Sequence, residues 1–121
     1  VGFTGHVLFD LIYTDHLWLS WALSTGALGF VFGFAIRRKS LRQGVFSRHD
    51  MVRFNVVQAA VNIAIFGLIA PTLDVLFYQQ ATTIVFTQGW IASIVNLLTV
   101  AVFGTITLKL YANYKLKQNK Q

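Results

Sequence analysis

The chain has 121 residues, of which 55% are hydrophobic and 12% are charged, and its formal net charge is +6. This length allows one domain, and so apolar a composition excludes an ordinary soluble globule and predicts an integral membrane protein. The lack of cysteine excludes disulfides, thiolate catalysis and cysteine metal sites.

The N-terminal segment, residues 1–16, is too short and too polar to span a bilayer. Its apolar residues recur at helical spacing, with Asp10 and Thr14 on the opposite face. This pattern predicts a short helical segment along the membrane interface. Because the chain opens at Val1 without the basic start of a signal peptide, we expect processing before this residue or an incomplete start.

Three later stretches are long enough to cross the membrane, which takes about 20 residues at about 1.5 Å each. We predict spans at about residues 17–36, 54–73 and 86–108. The second should end near Pro71 and Asp74, since proline and an acid favour an exit. The third should start near Phe86, after the polar residues 78–80. An alternative with a re-entrant segment within residues 75–108 is disfavoured, because irregular backbone at membrane depth needs protein cover.

The basic residues fall in two places, a loop at residues 37–53 and a tail at residues 109–121. With three spans, loop and tail lie on one side of the membrane, and Asp10, Asp15 and Asp74 lie on the other. This asymmetry follows the positive-inside rule and predicts a C-terminus on the stromal or cytoplasmic side. A nucleic-acid site is disfavoured, because topology already accounts for the charges. The sequence therefore predicts an all-α helical bundle, with residues 1–121 forming a single membrane domain.

Small residues mark one face of the first span. Gly26, Gly29 and Gly33 lie there, and the last two form a G-x-x-x-G pair that lets another backbone approach closely. We predict a helix-packing surface. A partner outside the chain is favoured over another span of the same chain, because three helices bury few of their own faces.

Polar residues form a stripe on each of the other two spans. The stripe on the second span consists of Asn55, Gln58 and Asn62, and that on the third of Ser93, Asn96 and Thr99. Carboxamides are costly against lipid, so both stripes should face protein, a ligand or water. One interpretation is interhelical hydrogen bonding, worth about 1 kcal/mol per contact. The other is a polar groove that admits a hydrophilic segment.

The three histidines, His6, His16 and His49, are predicted near the membrane interfaces. They are either solvated side chains or axial ligands to chlorophyll magnesium. We predict no protein metal site, because His49 and Asp50 form an isolated pair and no H-E-x-x-H motif exists. No nucleophile elbow, phosphate loop or cluster of intramembrane carboxylates is present, and the sequence therefore predicts a protein that is not an enzyme.

Residues 47–60 carry the most distinctive motif of the chain. Within them a basic stretch leads into an Arg-Phe-Asn-x-x-Gln-Ala helix start, formed by Arg53, Phe54, Asn55, Gln58 and Ala59. The motif and the order of spans resemble the twenty-kilodalton subunit family of the chloroplast inner-envelope translocon. That family usually has four spans, and the first is missing here or replaced by the interfacial segment. The resemblance implies a plastid inner-envelope, thylakoid or cyanobacterial membrane.

The resemblance predicts a non-enzymatic channel subunit for protein import, with other membrane subunits and the lipid bilayer as partners. The alternative is an accessory structural subunit of a photosystem or antenna complex in photosynthesis, contacting chlorophyll, carotenoid or lipid. A small transporter or assembly factor working as a homo-oligomer ranks last. It would need an ionisable residue at the centre of the membrane, and the three-span arrangement has none.

Overall fold

The computed structural model describes residues 1–36 and 39–120, and all regular structure among them is helical. The α-helices are α1 (Gly2–Tyr13), α2 (Leu19–Ala35), α3 (Lys39–Arg42), α4 (Arg48–Asn62), α5 (Ala70–Tyr78), α6 (Thr82–Thr99) and α7 (Thr105–Gln118). Two π-helical segments, Ile63–Ile69 and Val100–Gly104, join α4 to α5 and α6 to α7. The prediction of an all-α protein is therefore confirmed.

Two continuous helices, Arg48–Tyr78 and Thr82–Gln118, are long and apolar enough to cross a membrane, and α2 is a shorter apolar helix of 17 residues. The core helix of a soluble protein can be equally long and apolar, but it is mostly buried. Here only 6% of the most apolar stretch of Thr82–Gln118 is buried. So many uncovered apolar side chains are compatible with a membrane helical protein.

Both long helices extend beyond the predicted spans 54–73 and 86–108. α4 begins early because Ser47 forms a capping box with Asp50. The Ser47 Oγ accepts the Asp50 backbone N–H at 3.2 Å, and the Asp50 carboxylate accepts the Ser47 N–H at 3.1 Å. The predicted basic loop thus contains α3 and the start of α4, and the predicted tail is helical to Gln118. Residues 37, 38 and 121 of these two basic segments lie outside the described residues.

The predicted interfacial segment forms α1, which packs along α2. Glycines allow the close approach: a Cβ atom built on Gly2 would lie 2.9 Å from Thr25 Cγ2, and one built on Gly26 would lie 3.2 Å from Phe3 Cβ. Asp10 is buried in the chain, while Leu11 and Ile12 are exposed. α1 therefore turns its acid toward the protein and apolar side chains outward.

The middle of the bundle is formed where the first π-helical segment packs against α6. Its core contains Ile65, Phe66 and Ala70. Gly89 of α6 is essential to this contact, since a Cβ atom there would lie under 3.0 Å from the Phe66 carbonyl oxygen and from Pro71 Cγ. The two long helices are consequently closest at this level.

Candidate functional site

A cleft of about 340 Å³, partly open to solvent, lies where α1, α2, α5 and α6 meet. We call it the tryptophan cleft. Its aromatic walls are Phe9, Trp18 and Trp21, and Ile84 and Val85 of α6 add aliphatic surface. Its polar lining consists of His6, Asp10, Thr14, Asp74, Gln80 and Gln88. Aromatic walls with a few converging polar groups are typical of a small-molecule site.

Asp74 of α5 is the most buried acid of the cleft, with 1% of its surface exposed. Its Oδ1 accepts a hydrogen bond from Ser20 Oγ, and its Oδ2 accepts one from Trp21 Nε1 at 2.6 Å. Both donors lie at the start of α2. The carboxylate therefore ties α2 to α5 and holds the Trp21 ring at the cleft wall.

Asp10 of α1 is the second buried acid, with 3% of its surface exposed. Its Oδ2 accepts the Trp18 backbone N–H at 2.8 Å, and its Oδ1 lies 3.7 Å from His6 Nε2. Trp18 is the N-cap residue of α2, and its ring lies 5.2 Å from that of Tyr78. Asp10 therefore fixes the turn that presents Trp18 to the cleft.

A second pocket lies near the basic end of the chain. It is mostly apolar, with Phe32, Leu41 and Leu108 among its lining residues, and Asp50 and Gln58 among its few polar ones. Asp50 already serves the capping box of α4, and Gln58 Nε2 donates to the Leu97 carbonyl at 3.2 Å. Because its polar groups hold the helices together, this pocket is a weaker candidate than the tryptophan cleft.

The predicted polar stripes meet at three buried residues, Gln58, Asn62 and Ser93, which we call the polar bridge. Asn62 Nδ2 donates to Gln58 Oε1 at 3.0 Å, and Ser93 Oγ donates to the Asn62 carbonyl at 2.7 Å. Each of the three is at most 1% exposed. The bridge joins α4 to α6 by direct hydrogen bonds.

The other stripe residues lie apart from the polar bridge. Asn55 Nδ2 donates to Thr105 Oγ1 at 3.0 Å, nearer the basic end. Asn96 is half-buried and Thr99 is exposed on the far side of α6. The structure therefore brings together one part of the stripes and separates the rest.

The predicted packing glycines divide in the same way. Gly26 packs against Phe3 of α1. A Cβ atom on Gly29 or Gly33 would have no neighbour within 4 Å, and these two glycines line a shallow groove with Phe30 and Phe34. The G-x-x-x-G pair therefore faces away from the described part of the chain.

The three histidines are not brought together. His6 lines the tryptophan cleft, His16 is exposed with its Nδ1 2.7 Å from the Asp15 carbonyl oxygen, and His49 is exposed in the first turn of α4. Within residues 1–36 and 39–120 no group of three His, Asp or Glu side chains could hold a metal ion. Chlorophyll ligation by these histidines stays a prediction.

Three residues of the Arg-Phe-Asn-x-x-Gln-Ala motif, Phe54, Asn55 and Gln58, serve helix packing. Arg53 is exposed and Ala59 is half-buried. The Phe54 ring lies 6.3 Å from that of Phe32, and a Cβ atom on Gly104 would lie 2.9 Å from Phe54 Cζ. These contacts would suit many helical membrane proteins, so a short motif of this kind carries little information about the family.

Sequence reasoning missed Ser20, Trp21 and Asp74 as partners. A signal existed: Ser20 and Trp21 open the first predicted span, and Asp74 follows the second. With antiparallel spans these positions lie at the same membrane level. The hydrogen-bond donors Ser20 and Trp21 could therefore have been predicted to contact the single acid, Asp74.

Comparison with known proteins identifies the family. The sequence model described as "ECF-type riboflavin transporter, S component" matches residues 1–113. A UPF0397 protein of Lactococcus lactis subsp. cremoris (strain NZ9000) is 45% identical over 117 residues, which are 97% of this chain and 64% of that protein. A UPF0397 protein of Enterococcus faecalis is 43% identical over 118 residues, which are 98% of this chain and 64% of that protein. No solved structure matches the chain.

The chain thus spans 64% of the length of these curated relatives. The relatives are bacterial, and the family model covers nearly the whole chain. The predicted membership of the chloroplast translocon family was therefore wrong, as were the plastid location, protein import and the photosynthetic alternative. A transporter S component is not an enzyme, which agrees with the prediction of a non-enzymatic protein. The chain belongs to the family of ECF-type riboflavin transporter S components.

Proposed function

We propose that the chain is a non-enzymatic, membrane-embedded, substrate-binding component of a bacterial ECF-type transporter, and that its tryptophan cleft receives a small aromatic vitamin such as riboflavin. The observation that carries the proposal is the cleft itself. Three aromatic side chains and several hydrogen-bonding groups converge there from four helices. The described family of the chain supports the same class of ligand.

The lining suits a planar ring system. The faces of Phe9, Trp18 and Trp21 offer stacking surface, worth about 0.5–1.5 kcal/mol per aromatic pair beyond the area buried. The side-chain amides of Gln80 and Gln88 can both donate and accept hydrogen bonds at the ring edge. A heterocycle with carbonyl and N–H groups would satisfy both kinds of contact.

The proposed topology has three spans, formed by α2, by Arg48–Tyr78 and by Thr82–Gln118. The basic residues at 39–53 and the basic end of α7 then lie on the cytoplasmic side. The tryptophan cleft lies at the opposite end, near the acids Asp10, Asp15 and Asp74. This arrangement would let the cleft collect solute from outside the cell.

The outward groove on α2 is the proposed contact with another membrane subunit of the transporter. Gly29 and Gly33 leave open space on this face, and exposed Phe30 and Phe34 flank it. Small residues at this spacing let a second helix approach closely in lipid, where packing drives association. The rest of the chain's outer surface would face the lipid bilayer.

Calorimetric titration of riboflavin into the purified chain in lipid nanodiscs tests the proposal. Trp18→Ala removes an aromatic wall, and we expect affinity to fall by roughly tenfold, since each 1.4 kcal/mol lost is a factor of ten. Trp90→Ala is the matched control, because Trp90 is half-exposed on α6 and does not line the cleft. Equal affinity of the two variants, or no binding by the unmodified chain, would contradict the proposal.

A further inference from the structure

We infer that the tryptophan cleft selects a positively charged planar ring over neutral or negatively charged rings of the same shape. This inference rests on the proposed function and ranks ring ligands of the cleft by charge: a neutral ring such as that of riboflavin binds, and a cationic ring of the same shape binds more tightly. It follows from two features found together in the cleft, uncompensated carboxylates and aromatic faces.

The first feature is the balance of charge. Asp10 and Asp74 are both buried, and the residues that line the cleft include neither Lys nor Arg. The donors to Asp74 are the hydroxyl of Ser20 and the indole N–H of Trp21, which are both neutral. Asp10 has the neutral N–H of Trp18 and the His6 imidazole at 3.7 Å. The cleft therefore has a negative formal charge that no Lys or Arg among its described lining residues offsets.

A buried charge without a counter-charge is costly, and a bound cation removes that cost. The attraction is also larger in a partly buried site than in water, because the effective dielectric constant is lower. An anionic ring, such as a phosphorylated one, would instead be repelled by both carboxylates. Charge alone therefore favours a cation.

The second feature is aromatic. Trp18, Trp21 and Phe9 line the same cleft as the two acids. The face of an aromatic ring attracts a cation, most strongly for Trp, and several such faces around one space recognise charged nitrogen compounds. A flat ring that bears a positive charge can stack on these faces and lie near the carboxylates at once.

The acids also tie helices together, and this role does not require their charge. The Trp18 N–H needs one acceptor oxygen, which an amide side chain would supply as well as a carboxylate. Replacing Asp10 by Asn therefore keeps this hydrogen bond and removes the charge. The substitution separates the structural role from the electrostatic one.

The test compares 10-methylacridinium, a cationic three-ring compound, with acridine, its neutral counterpart at pH 8. Both are titrated calorimetrically into the chain in nanodiscs of zwitterionic lipid. We expect the cation to bind roughly tenfold more tightly, the scale of a partly desolvated cation–π and charge contact. Asp10→Asn should abolish most of this preference, so that the ratio of the two affinities approaches one. Asp15→Asn is the control, because Asp15 is exposed and does not line the cleft.

Asp74→Asn provides a second variant, should Asp10→Asn fail to fold. Equal binding of the two probes would overturn the inference, as would a cation preference that survives in both variants. Riboflavin binding that depends on Trp18, without any cation preference, would overturn the inference and keep the proposed function. Loss of all ring binding would overturn both.

Discussion

The polar bridge and the tryptophan cleft both place buried polar side chains beside α6, yet they differ in the space beside those side chains. In the bridge, Gln58 and Ser93 make direct hydrogen bonds between α4 and α6. In the cleft, Asp74 has similar burial but borders a cavity of about 340 Å³. Buried polarity therefore indicates a binding site only where the helices also separate.

Gly89 lies between these two regions on α6. Val85, one turn before it, and Gln88, directly before it, line the cleft, and Ser93, one turn after it, belongs to the bridge. Substituting Gly89 by Ala should cause the largest loss of stability, about 3 kcal/mol, because the new methyl group meets backbone of the first π-helical segment. Steric-trap or denaturant unfolding in bicelles measures the loss. Gly29→Ala, which meets nothing within 4 Å, should change stability little, and equal effects would contradict the close approach.

Asn62→Ala tests whether the bridge is structural. It removes the donor to Gln58 and leaves that buried carboxamide short of a partner, so we expect a loss of about 1–2 kcal/mol. Asn113→Ala, at an exposed position of α7, serves as the control in the same unfolding assay. Riboflavin affinity should not change in either variant. A large fall in affinity for Asn62→Ala would mean that the bridge and the cleft are one site.

Trp21→Phe acts at the cleft wall. It keeps an aromatic face but removes the indole N–H that Asp74 accepts at 2.6 Å. We expect a stability loss of about 1 kcal/mol, smaller than that of Asn62→Ala because solvent reaches the cleft. Trp90→Phe is matched in chemistry and lies outside the cleft. If both substitutions cost the same in thermal unfolding, the Asp74 contact contributes nothing.

Gln88→Ala should have the smallest effect on stability, within about 0.5 kcal/mol, because Gln88 is exposed. Its amide nevertheless lines the cleft, so riboflavin affinity should fall a few-fold in calorimetric titration. Gln43→Ala, exposed and remote from the cleft, should change neither quantity. Unchanged affinity in Gln88→Ala would remove this residue from the proposed ligand contacts.

The sequence predicted helices well because long uncharged stretches leave few other structures in an apolar solvent. It also singled out the residues of the polar bridge, since spacings of three and four keep Asn55, Gln58 and Asn62 on one face. On α6, Ser93, Asn96 and Thr99 are three residues apart, and each step of three turns the side chain by about 60° around the helix. Asn96 and Thr99 consequently turn away from Ser93.

The tryptophan cleft was not predicted, because its contacts join residues far apart in the chain. Trp21 and Asp74 are paired only once α2 lies beside α5, which no local pattern specifies. The transporter class was ranked last for lack of an ionisable residue at the membrane centre, and that ranking was wrong. The buried acids, Asp10 and Asp74, lie instead where α1, α2 and α5 meet.

The first π-helical segment, Ile63–Ile69, has a consequence for how sequences of this family are aligned. A π-helical turn takes in about one residue more than an α-helical turn. Asp74 lies twelve residues after Asn62, so on a straight α-helix the two side chains would point about 120° apart. Because the π-helical turn takes in one extra residue, they instead point within about 20° of each other. A relative with a single-residue gap here would keep its helix but turn this acid away from Ser20 and Trp21. Such a gap would break the contacts that tie α2 to α5 and would not be a neutral deletion.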